Sequence, residues 1–138
     1  MSVYTGIRFK GVVNKEYRST FKDIAVDGRW EIYAFEPFSS FYEENYSSSI
    51  CINGSPFVYG VWEDDKDFRG EWDTETGYWC FQTIINHADD IIEDFIKLLP
   101  ELMESLEYLE IWCEIYERSD IYIMEDGKII YDTSKNYK

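Results

Sequence analysis

The sequence predicts an α+β fold, a mainly antiparallel sheet with two helices packed on one face, in the order β-α-β-β-β-β-α-β-β-β. Three observations lead there. From Asn86 to Leu106, Ile91, Ile92, Phe95, Leu98, Leu99, Leu102, Met103 and Leu106 recur at helical spacings of three and four, with acidic residues between them. Elsewhere short apolar runs alternate with turn signals, the mark of antiparallel strands joined by hairpins. The chain has 138 residues, 45% of them hydrophobic, enough for one core, so residues 1–138 are read as a single acidic domain.

Val3 to Val13 alternates around Ile7 and Phe9 and reads as the first strand. Lys15 to Ala25 has Tyr17, Phe21 and Ile24 at spacings of four and three, a short helix stopped near Gly28. Trp30 to Tyr46 obeys neither period and is dense in aromatic residues; it either completes the core as a loop or offers an aromatic surface or pocket. Ser48 to Asn53 and Phe57 to Trp62 read as strands joined across Asn53, Gly54, Ser55 and Pro56. Phe68 to Asp73 and Tyr78 to Ile85 form the next hairpin, and both faces of its second strand are apolar enough to be covered.

In the Asn86 to Leu106 helix, Asn86 suits the N-cap, Asp89 and Asp90 complement the dipole, and Pro100 predicts a kink or restart. Tyr108 to Tyr116 follows as a strand. Leu109, Ile111, Cys113 and Ile115 face the core, while Tyr108, Glu110, Trp112, Glu114 and Tyr116 are expected to meet solvent or a partner. Ile121 to Met124 and Lys128 to Tyr131 close the chain as a hairpin with an Asp-Gly turn, and Thr133 to Lys138 is expected to fray.

The net charge is −15, yet 19% of residues are aromatic, more than a disordered acidic tail carries. Residues 1–30 hold six Lys or Arg against three Asp or Glu, 6 − 3 = +3, so residues 31–138 carry −18. Such a field repels nucleic acid and anionic membranes and favours a basic partner. The early cations Arg8, Lys10, Lys15, Arg18, Lys22 and Arg29 are expected to offset part of it within the chain. No apolar run reaches the roughly 18 residues that span a bilayer, and Met1 to Lys10 lacks a signal peptide's apolar core, which reads as cytoplasmic. Cys51, Cys80 and Cys113 read as reduced core thiols.

No catalytic pattern emerges, so the expectation is a protein that is not an enzyme and takes no cofactor or metal. His87 is the only histidine, which rules out histidine pairs for a metal. Asp65, Asp67 and Gly70 begin like a calcium loop, but Arg69 and Thr76 stand where the fifth and twelfth ligands belong. Cys80 would need a nearby base to act as a nucleophile.

Binding remains. Glu71, Trp72 and Asp73, and again Glu110, Trp112, Glu114, Tyr116 and Glu117, combine carboxylates that steer a basic partner with aromatic area that holds it. In composition and size the chain resembles phage-encoded inhibitors of host defence nucleases and immunity proteins that neutralise toxic nucleases. The charge concentrated after residue 30, with these aromatic residues, leads to the expectation of an inhibitor of a basic, nucleic-acid-binding protein that acts as a nucleic-acid mimic, with no direct binding of nucleic acid or membrane. The resemblance carries no motif by which residue roles could be transferred. The alternatives are an immunity protein for a toxin, or sequestration of a small ligand in an aromatic pocket within Trp30 to Tyr46.

Overall fold

The computed structural model describes residues 4–30, 50–53, 66–86, 89–113 and 118–132. Among these residues six antiparallel strands form one sheet: β1 (Tyr4–Val13), β2 (Glu71–Trp72), β3 (Tyr78–Asn86), β4 (Met103–Cys113), β5 (Arg118–Glu125) and β6 (Lys128–Tyr131). Their spatial order is β2-β3-β1-β4-β5-β6, so the first strand lies between two much later ones. Among the described residues three helices accompany the sheet: α1 (Lys15–Arg18), α2 (Lys22–Asp27) and α3 (Asp89–Leu102). The α+β class and antiparallel sheet agree with the sequence expectation.

Alternation along β1 divides the sheet into two faces. Thr5, Ile7, Phe9 and Val13 are buried on the helix-covered face, while Arg8, Lys10 and Val12 are half-buried on the other. Phe9 stands opposite Phe81 across the β1–β3 ladder, with ring centroids 5.2 Å apart. Trp79 lies 5.1 Å from Phe9, and Phe95 of α3 lies 5.8 Å from it. The Trp79 indole N–H donates to the carbonyl of Ala25 at 3.2 Å, which docks α2 on the same face as α3.

The expected helix over Lys15 to Ala25 is split into two short ones, because residues 19–21 form a turn; the second ends at Gly28, whose φ is 67°. The expected strand over Ser48 to Asn53 is not formed in its described part. Ile50 to Asn53 is a turn held by Ile52 N–H donating to Ala25 O at 2.8 Å, and Ile50 and Cys51 are buried in it. Phe57 to Trp62 lies outside the described residues. The hairpin strand expected over Phe68 to Asp73 shrinks to Glu71–Trp72, and Phe68 ends a 3-10 turn, Lys66–Phe68.

The largest correction concerns the end of the main helix. It stops at Leu102, two residues after Pro100, and β4 begins at once. Asn14, just past β1, closes it: its backbone N–H donates to Leu102 O at 2.8 Å and its side-chain amide to Glu101 O at 2.6 Å. These are carbonyls that a terminating helix leaves open. Met103 and Leu106 therefore belong to a strand. The register between β1 and β4 shifts twice: Lys10 opposes Tyr108, Gly11 opposes Leu106, Val12 opposes Ser105 and Val13 opposes Met103. Glu107 and Glu104 are the extra residues, two bulges in β4. Each adds one residue to the period of two, so Met103, Leu106 and Leu109 reach the core face at intervals of three and imitate a helix. Asn86, expected as the N-cap, ends β3 instead.

Candidate functional site

The face opposite the helices carries a polar network. β1 presents Arg8 and Lys10 there, flanked by Gln82 and Cys80 from β3 and by Glu110 and Tyr108 from β4, as the ladder registers require. Arg8 Nε donates to Gln82 Oε1 at 2.8 Å, and its Nη1 lies 3.8 Å from Glu110 Oε1. The Tyr108 hydroxyl donates to that same carboxylate oxygen at 2.7 Å. Phe68 covers the group: its ring centroid is 5.3 Å from Arg8 Cζ, 4.7 Å from Lys10 Nζ and 5.1 Å from the Tyr108 ring.

Cys80 lies under the same turn, its Sγ donating to Asp67 O at 3.7 Å. Burial pushes its thiol pKa up, with Tyr78 and Lys10 opposing that shift. A thiol held protonated is a poor nucleophile. Tyr78 beside it is raised to about 12, chiefly by burial and then by Cys80.

The expected partner-binding residues fall in different places. Glu110 is 8% exposed and Trp112 is 6% exposed, so both are largely withdrawn from water. Alternation assigns them to the face away from the helices, but it does not reveal that this face is itself covered. Glu71 is exposed on that face; Trp72 is half-buried on the helix side, its indole N–H donating to Thr74 Oγ1 at 2.9 Å. Asp73 is exposed, and its Oδ1 accepts from the backbone N–H of Glu75 at 2.8 Å and of Thr76 at 3.3 Å. Glu114, Tyr116 and Glu117 lie outside the described residues. So does nearly all of Trp30 to Tyr46; Trp30 itself is buried edge-on against Phe21, 6.1 Å between centroids. His87 is also outside the described set.

Exposed carboxylates gather elsewhere, at the end of the sheet where β1 finishes, β3 and β4 start and the β5–β6 hairpin turns. Glu16, Asp73, Glu75, Glu101, Glu104, Glu107, Glu125 and Asp126 are all exposed there. The cations at this end are Lys15, Arg18 and Lys128, which leaves an excess of 8 − 3 = 5 negative charges among the described residues. Arg18 works internally: its Nε donates to Val13 O at 2.8 Å, Nη1 to Glu75 O at 3.3 Å, and Nη2 pairs with Glu104 at 3.3 Å. With Arg8 on Glu110, two of the early cations do offset later acids within the chain. Tyr17 donates to Glu101 Oε1 at 3.2 Å and is raised to about 12, first by burial and then by the Glu101 and Glu16 charges.

The bulges place Glu104 and Glu107 without a residue opposite, which leaves both side chains exposed at this end. Their sequence signal was present: acidic residues next to apolar ones at intervals of three, running directly into a strand of period two. Among the described residues no group of three or more His, Cys, Asp or Glu is placed to hold a metal ion, and no helix is long and apolar enough to cross a membrane. Comparison with known proteins gives no match: no family model, no curated protein and no solved structure matches this chain.

Proposed function

We propose that this chain is a non-enzymatic acidic binding protein that inhibits a basic, nucleic-acid-binding partner by occupying the partner's positively charged surface. The observation that supports this is the row of exposed carboxylates along one end of the sheet, from Asp73 and Glu75 at the β2–β3 turn to Glu125 and Asp126 at the β5–β6 turn. Strands spaced about 4.8 Å apart carry that row across roughly 20 Å. Fixed negative charges at strand intervals can stand in for phosphates, and a net charge of −15 steers a basic protein toward them. The partner surface is therefore assigned to the sheet end, with Glu71 beside it, in place of a face centred on Glu110 and Trp112.

The test compares two variants of equal net charge. One carries Glu75→Gln, Glu107→Gln and Glu125→Gln at the sheet end; the other carries Asp27→Asn, Asp67→Asn and Glu93→Gln elsewhere. Basic proteins captured from a lysate by the unmodified chain should be released by competing DNA or RNA, and the sheet-end variant should associate roughly tenfold more slowly at low salt. Equal loss in both variants would reduce the effect to net charge alone. Capture that nucleic acid leaves untouched would turn the reading toward an immunity protein whose target surface is not its nucleic-acid site.

A further inference from the structure

Among the described residues, the hairpin that closes the sheet leaves an open edge. β5 and β6 are joined by Asp126 and Gly127, both at positive φ, 53° and 74°, as a two-residue type I′ turn requires. Such a turn fixes which backbone groups point inward. Asp132 N–H donates to Ile121 O at 2.9 Å, so by antiparallel alternation the amides of residues 128, 130 and 132 face β5, and those of Ile129 and Tyr131 face outward. β6 is the last strand of the sheet among the described residues. Ile130 and Tyr131 are the exposed large apolar side chains there, at 39% and 41%. Edges are commonly blocked by proline, a bulge or several charges, but β6 holds only Lys128, and its pairing with β5 runs without a shift.

We propose that β6 is the contact between two copies of this chain, which pair antiparallel about a twofold axis and join two six-stranded sheets into one. The register follows from parity. Outward-facing residues must meet outward-facing residues, and the twofold arrangement that overlaps all of residues 128–132 puts Ile130 on the axis. Ile129 then faces Tyr131 of the second copy, and Lys128 faces its Asp132. Apolar side chains meet apolar ones on each side of the axis; Asp132 is only 8% exposed and stays within its own fold.

The same geometry keeps the two acidic ends apart. Ile130 stands three residues beyond the turn, so rotation about it displaces one acidic end from the other by roughly 20 Å along the strands, over two Debye lengths at physiological salt. A four-residue edge covers far less than the roughly 1,600 Å² of a standard interface, so the association is reversible and depends on concentration. It does not depend on the identity of any basic partner.

Cysteine trapping tests both contact and register. In this register, two copies of residue 130 form a pair without mutual hydrogen bonds, Cα atoms about 4.5 Å apart and within disulfide reach. Two copies of residue 131 lie about 9 Å apart, beyond it. Ile130→Cys should therefore give a disulfide-linked dimer under mild oxidation. Tyr131→Cys should not, nor should the unmodified chain, whose Cys51 and Cys80 are buried and whose half-buried Cys113 lies on β4, two strands from this edge. Sedimentation of the unmodified chain should show a mass that rises with concentration, and Ile130→Lys, which sets two cations together on the axis, should abolish that rise. Equal trapping at positions 130 and 131, or a monomer mass at every concentration, would overturn the proposal.

Discussion

On the helix-covered face Phe9, Trp79, Phe81 and Phe95 meet ring to ring, whereas the same strands place Arg8, Gln82 and Glu110 side by side on the opposite face. Both sets are largely withdrawn from water, by different means. The first gains from removing apolar area and from dispersion, neither of which needs a specific partner. The second is tolerated only because each polar group has another to answer it. Substitution should therefore damage the helix face in proportion to volume lost, and the other face in proportion to partners lost.

The largest expected effect is Phe95→Ala, which removes a fully buried ring from the centre of the first face and should cost about 3 to 5 kcal/mol. Thermal melting would measure it, and an unchanged midpoint would mean that α3 does not cover the sheet. On the other face, Arg8→Met keeps most of the apolar stem but withdraws the cation from Glu110 and the donor from Gln82, at a cost of about 2 kcal/mol. Adding Glu110→Gln should then cost less than it does alone, because the two act through one contact. Additive losses would show that the pair contributes little.

A smaller effect is set by pH. Tyr17 beside α3 and Tyr78 on the opposite face are each raised to about 12 from an ordinary value near 10. The folded state keeps both protons while the unfolded state loses them. Their stabilisation is therefore complete below pH 10 and is lost as pH rises through 12. Tyr17→Phe should flatten the alkaline decline measured by denaturant titration, and an unaltered slope would mean that Tyr17 ionises freely in the folded chain.

The smallest effect should have the opposite sign. Thr83 is fully buried on the helix face, opposite Ile7, and its hydroxyl has no hydrogen-bond partner. Thr83→Val should stabilise the protein by up to about 1 kcal/mol. Loss of stability would show that the hydroxyl is satisfied in solution, and would blur the contrast between the faces.

This contrast also explains what could be read from the sequence. The helix face was legible because burial of apolar residues leaves a period, three or four in α3 and two in β1 and β3. The main helix was extended too far because the bulges at Glu104 and Glu107 gave a strand helical spacing, and because its true stop depends on Asn14, 87 residues away from Glu101. The polar network was not legible. Arg8, Gln82 and Glu110 look like solvent-facing residues until the sheet order sets them on neighbouring strands and Phe68 is laid over them. For the same reason Glu110 and Trp112 were expected at a partner surface. The acidic sheet end is not legible because its members come from four separate stretches of chain that only the fold brings to one level.

The position of β1 in the middle of the sheet has a consequence for how the protein is made. Tyr4 pairs with Asn86 and Thr5 with Cys113, separations of 82 and 108 residues. At roughly 5 to 20 residues per second, β1 waits about 5 to 20 s after synthesis for its second neighbour. Until β3 is made, Ile7 and Phe9 have no neighbouring strand, and the long-range pairings they await are the slow kind to form. The chain's first strand is thus among the last to be secured, and its nascent form is the stage at which a chaperone has most to protect.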